Sequence, residues 1–200
     1  GGSEVLGTTM CSGKEWLDRP GTSGQPVNCE VLILDADRNP VATGTVGEIF
    51  MRLPTSDQPF EYVGTETPTP ILDGFRSYGD MGYVDDEGFL FVVDRRQDMV
   101  LTGGANVFPA EVEAALSEHP GLTDVVVIGL PDPEWGHRVH AIVQPADAAA
   151  PPTDDDLRAH CKARLAGYKV PKSFETVERL PRTEAGKVNR SRLVDERAAS

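Results

Sequence analysis

The chain has 200 residues, 39% of them hydrophobic and 26% charged, with a formal net charge of −13. That is enough to bury a sizeable core in one or two domains, and the acidic balance argues against bulk attraction to nucleic acid or an anionic membrane. No apolar run is long enough to span a bilayer, no basic-then-apolar leader occurs, and Cys11, Cys29 and Cys161 are too few and too scattered for a disulfide framework or a zinc site. These features fit a reducing, cytoplasmic setting. An opening at Gly1 without methionine is expected of a processed product, a tag remnant or a fragment.

From Pro20 to Arg52, period-two apolarity (Val27, Cys29, Val31, Ile33, then Val46 to Met51) is broken by turns at Gly21–Pro26, Asp35–Pro40 and Gly44, which predicts short strands in a small barrel-like sheet. Residues 54–70 are rich in Pro, Thr and Glu and read as an exposed loop. Asp86-Glu87-Gly88 marks a hairpin turn, and Asp80, after the permissive Gly79, is expected at the start of a strand with a carboxylate able to accept two hydrogen bonds from a diol; an Asx turn is the competing reading.

Beyond Arg95 the character changes. Residues 1–95 carry six basic and sixteen acidic side chains, whereas 96–200 carry thirteen and sixteen, with the bases concentrated toward the end. Met99–Leu101 leads through Thr102-Gly103-Gly104 into a helix from Pro109, stopped at His119-Pro120-Gly121. Val125–Leu130 and Val139–Val143 read as strands around the loop 131–137, Thr153 as the cap of a helix to about Leu165, Phe174–Val177 as a strand, and Ser191–Arg197 as a terminal helix. Together these give an α/β (α+β) chain: a strand-rich, barrel-like piece over 1–95 and a compact α/β domain, in two or three layers, over 96–200.

The most telling stretch is Pro181 to Arg190. Pro181 fixes one end, Gly186 lets the backbone bend, and Lys187 is thereby presented from a turn, where it can reach an anion or simply be solvated. A phosphate-binding P-loop is excluded, because Val188 follows Lys187 where Ser or Thr is required and Pro181 stands where Gly is required. No GxGxxG is present, His137 and His140 fall on opposite faces of one strand, and no Ser-His-Asp pattern is visible.

In order and approximate spacing, these segments resemble the adenylate-forming superfamily of acyl-CoA synthetases, peptide-synthetase adenylation domains and luciferases. Gly2-Ser3-Glu4 is similar to its Y-G-x-[ST]-E segment, Gly21–Pro26 and Gly44–Glu48 to its glycine turns, Gly79-Asp80 to T-G-D, and Asp94-Arg95 to the G-R of the domain junction. Gly103-Gly104 through Glu113 resembles the loop and helix after the hinge, and Pro181–Arg190 the P-x-T-x-x-G-K segment.

The resemblance implies the C-terminal portion of an acyl-CoA synthetase that uses ATP, Mg²⁺ and CoA on a small carboxylic acid, a fatty or other acyl acid, and leaves a homodimer open. It implies Lys187 as the adenylation lysine, Asp80 and Arg95 on the ribose, Glu4 on Mg²⁺ and Gln97 as hinge. Gly103, Gly104, Trp135, Lys169 and Lys172 would meet CoA, with core packing or surface charge as competing readings. Tyr78, Gln97 and Val170 depart from the usual Thr, Asp or Lys, and basic residue, and the phosphate loop and most of the acyl pocket are missing, so the chain alone is expected to be inactive. An amino-acid-activating adenylation domain and a non-catalytic nucleotide- or CoA-binding module are the alternatives.

Overall fold

In the computed structural model, residues 7–54 and 71–198 are described. Glu4 and the proposed loop 54–70, apart from Pro54, lie outside them. The chain divides into two compact units, Gly1–Gln97 and Asp98–Ser200.

In the first unit, Thr9–Met10 (β1), Gly13–Asp18 (α1), Thr22–Pro26 (β2), Glu30–Leu34 (β3), Gly47–Arg52 (β4), Ile71–Leu72 (β5), Phe75–Val84 (β6) and Leu90–Arg95 (β7) follow in order. The strands form one curled sheet in the order β1-β2-β7-β6-β4-β3, with β5 on β6, and every pairing is antiparallel. Two local expectations change. The stretch from Gly21 to Pro26 is largely a strand, because Gly24 (φ 97°) lies so close to β1 that a Cβ there would come within 2.2 Å of the Met10 backbone. Helix α1 was not anticipated, although its cue is written in the sequence: Ser12 and Glu15 form a reciprocal capping box.

The second unit contains Val100–Thr102 (β8), Ala105–Val107 (β9), Pro109–Ser117 (α2), Leu122–Asp132 (β10), Gly136–Pro145 (β11), Asp154–Lys162 (α3), Ser173–Thr176 (β12) and Arg190–Ala198 (α4). Its sheet runs β10-β11-β8-β9, and β12 joins β11 in parallel after the α3 crossover. Strand β10 reads as a near-continuous apolar run because both of its faces are covered. Val125 and Val127 pack toward Val112 and Leu116 of α2 and Leu157 and Cys161 of α3, whereas Val126 and Ile128 pack toward Leu180 and Leu193. The unit therefore has three layers. Val170, where a basic residue is usual, is 5% exposed in the first of these clusters, so burial explains that departure.

Candidate active site

The predicted residues gather at three places. In the first unit, Asp80 and Arg95 are directly opposed on β6 and β7, and Arg95 Nε lies 3.1 Å from Asp80 Oδ1. Asp80 falls within β6 rather than at its start. The register with β4 slips between Glu48 and Phe50, and Gly79 takes φ 78° there, with its N–H held by Ser77 Oγ at 2.9 Å. This irregularity is where the strand re-aims a side chain. Gln97 is exposed at the last position of the unit.

At one end of the second unit, Gly103 and Gly104 form the left-handed turn between β8 and β9, with φ 55° and 82°. The Gly103 N–H donates to the Trp135 carbonyl at 2.9 Å, and a Cβ on Gly103 would sit 2.5 Å from the Trp135 ring. Lys172 Nζ lies 5.2 Å from the centre of that ring, and Trp135 stays 42% exposed. Gly103, Trp135 and Lys172 thus form one surface: an open aromatic wall, a glycine floor and a cation. Lys169 is engaged otherwise. Its ammonium bonds both Glu111 oxygens at 2.6 Å, which neutralises the charge that an anion would seek.

Lys187 occupies the other end. Thr183 N–H donates to the Lys187 carbonyl at 2.8 Å, Gly186 N–H to the Thr183 carbonyl at 2.8 Å, and Arg182 pairs with Val188 across the turn. Gly186 supplies the positive φ of 74°. Arg182 holds the Asp124 carboxylate with two bonds of 2.6 and 2.7 Å and keeps it below the usual carboxylate range. The Lys187 side chain is exposed and, among the described residues, has no ion-pair partner. Asp124 and the Trp135 loop stand at opposite ends of β10, about 25 Å apart at strand rise.

Sequence reading missed two clusters that residue spacing conceals. Arg190 bonds both Glu113 oxygens at 2.8 and 2.9 Å and reaches Asp98 at 3.2 Å. The buried His140 meets Ser173 Oγ at 2.8 Å and Glu175 at 3.5 Å, a serine-histidine-acid contact assembled from β11 and β12. Glu175 is locked by Arg197 from α4 through bonds of 2.5 and 2.7 Å, so the cluster acts as a brace rather than a nucleophile. The Cys161 thiol, pushed up to about 11 by burial, is equally unsuited to attack.

Burial lowers the pKa of His140 below its ordinary value, against the opposing pull of Glu175 and with help from Arg197 and Arg138. The unfolded chain therefore binds a proton that the fold resists, and stability falls as pH drops below about 6.5. His119, also lowered by burial, acts in the same direction. The melting temperature is expected to fall between about pH 7 and about pH 5, and His140→Gln to flatten that slope; an unchanged slope would remove His140 as its source.

A family model described as the AMP-binding enzyme C-terminal domain matches residues 111–187. A 2-succinylbenzoate–CoA ligase of Bacillus velezensis is 39% identical over 178 residues, covering 88% of this chain and 36% of the relative. The solved o-succinylbenzoate CoA synthetase of Bacillus subtilis bound to its acyl-adenylate intermediate superposes with a TM-score of 0.83 at 34% identity, covering 96% of this chain and 40% of that one. The same enzyme with ATP and magnesium gives 0.82 at 33% identity, with the same two coverages. The chain thus spans little more than a third of the relatives it matches.

Proposed function

The chain belongs to the adenylate-forming superfamily, and on that premise we propose that the protein activates a carboxylic acid with ATP as an acyl-adenylate, releases pyrophosphate and passes the acyl group to CoA. The observation that carries this reading is the pair of unlike surfaces at opposite ends of β10: a cation on a braced turn, and a glycine-and-tryptophan surface. One end of the sheet suits the charge of phosphoryl transfer and the other suits a slender thiol-bearing arm. A single placement cannot bring both ends to one reacting centre, so we assign Gln97 as the pivot between the two half-reactions.

In the first half-reaction, the Lys187 ammonium faces the negative charge that grows as a carboxylate attacks the α-phosphate. Asp80 and Arg95 hold the ribose diol, fixing the nucleotide without touching the reacting atoms. In the second, Gly103 and Gly104 let the CoA arm approach the backbone beside Trp135, with Lys172 toward its phosphates. Lys169 contributes less, because Glu111 already neutralises it.

The superfamily uses Mg²⁺ to offset phosphate charge. Among the described residues no group of three or more His, Cys, Asp or Glu is placed to hold a metal. Glu4 lies outside them, and no step is assigned to the ion. No helix among the described residues is long and apolar enough to cross a membrane; separately, the three free, scattered cysteines support a reducing compartment, and we place the protein in the cytoplasm. The full-length protein, offered a panel of carboxylic acids, is expected to catalyse acid-dependent ATP–pyrophosphate exchange and then CoA-dependent AMP release. Nucleotide binding without exchange for any acid would mark a non-catalytic module, and exchange confined to amino acids a peptide-type adenylation domain.

A further inference from the structure

Among the described residues, strand β10 is the last strand of its sheet, and the backbone groups on its outer side have no strand to pair with. Side chains take that role. Val127 N–H donates to Glu113 Oε1 at 2.8 Å, Arg190 Nε donates to the Val127 carbonyl at 3.3 Å, and Arg182 Nη2 reaches the Val125 carbonyl at 3.5 Å. The two arginines bracket the Lys187 turn, one at its start and one at its exit. Arg182 also donates to the Gly186 carbonyl at 2.8 Å, bracing the turn from within.

Arg190 is the more connected of the two. Its guanidinium, 23% exposed, grips Glu113 of α2 with two bonds and Asp98 with a third. Asp98 is the residue immediately after Gln97, so one planar fork joins the exit of the Lys187 turn, the outer side of β10, helix α2 and the first residue of the second unit. A lysine ammonium could not make this set of directional contacts.

We propose that Arg190 is a positioning residue for adenylation, fixing the backbone of the Lys187 turn against β10 and tying it to the segment that begins at Asp98. This rests on the assignment of Lys187 to the first half-reaction. A displacement of about 1 Å in a group that stabilises a transition state costs about 10²-fold in rate, and Arg190 limits that displacement.

The test is a double-mutant cycle in the full-length protein, read as acid-dependent pyrophosphate release. Arg190→Gln is expected to lower kcat about 10- to 100-fold with little change in the KM for ATP, and to spare acyl transfer from supplied acyl-adenylate by a much wider margin. Arg190→Lys is expected to restore only part of the loss. In a Lys187→Ala background, Arg190→Gln is expected to add almost nothing, because the residue acts through the missing lysine.

Amide exchange should accelerate in residues 182–189 while β11 keeps its protection. Where Arg190→Gln is too unstable, Glu113→Gln preserves the acceptor for Val127 and is expected to show the same pattern at smaller size. Full additivity in the cycle, or equal losses in both half-reactions, would overturn the proposal. If Lys187→Ala itself leaves pyrophosphate release unchanged, the assignment of Lys187 fails; if only the arginine variant is silent, the assignment stands and the positioning role falls.

Discussion

Replacing Lys187 with alanine is expected to lower acid-dependent pyrophosphate release by about 10²- to 10³-fold, the scale seen when one preorganised donor to a developing anion is removed. Transfer of the acyl group from supplied acyl-adenylate to CoA should stay near the parent rate, because the Gly103–Trp135 surface stands at the opposite end of β10 from Asp124, which braces the Lys187 turn through Arg182. Stability should barely change: the side chain is exposed and, among the described residues, makes no ion pair. Stopped-flow measurement of each half-reaction separates the two effects. A rate of pyrophosphate release within about threefold of the parent would be incompatible with an ammonium at the transition state.

Asp80→Ala is the second large effect. Two charge-assisted hydrogen bonds to a diol are worth about 1.5–3 kcal/mol each before losses elsewhere, so AMP and ATP should bind about 10- to 100-fold more weakly. The contact lies on a part of the nucleotide that does not react. The KM for ATP should therefore rise while kcat changes less. Loss of Asp80 also removes the carboxylate that orients Arg95 at 3.1 Å, and Asp80→Asn, which keeps an acceptor without the charge, should fall between the two. Calorimetry with AMP measures this directly, and an unaltered affinity would rule out the ribose contact.

How much could be read beforehand depends on how local the cause is. The β10 run, the α3 cap at Thr153 and the Lys187 turn each follow from a few neighbouring residues, and each stands near its expected position. The capping box of α1 is equally local, but it heads a helix of only six residues with no buried side chain, so no apolar stripe accompanies the cap. Asp80 could not be placed correctly, because its position within β6 depends on a register slip against β4, a strand separated by many residues. The pairing of Lys169 with Glu111 and of Arg190 with Glu113 and Asp98 joins residues 58 to 92 positions apart. Charge type alone cannot tell a lysine that awaits an anion from one already neutralised. The unlike surfaces at the two ends of β10 likewise emerge only once the hairpin is laid out at full length.

The outer side of β10 has a consequence for how the protein keeps company with its own copies. Val125-Val126-Val127-Ile128 is an uncharged, wholly β-branched run without proline, the composition that favours intermolecular strand pairing when its backbone is open. Arg182, Glu113 and Arg190 occupy the groups of Val125 and Val127 through which a foreign strand would attach. The contacts that steady the lysine turn therefore also guard against aggregation, and selection for solubility would preserve them even in a descendant that had lost its chemistry.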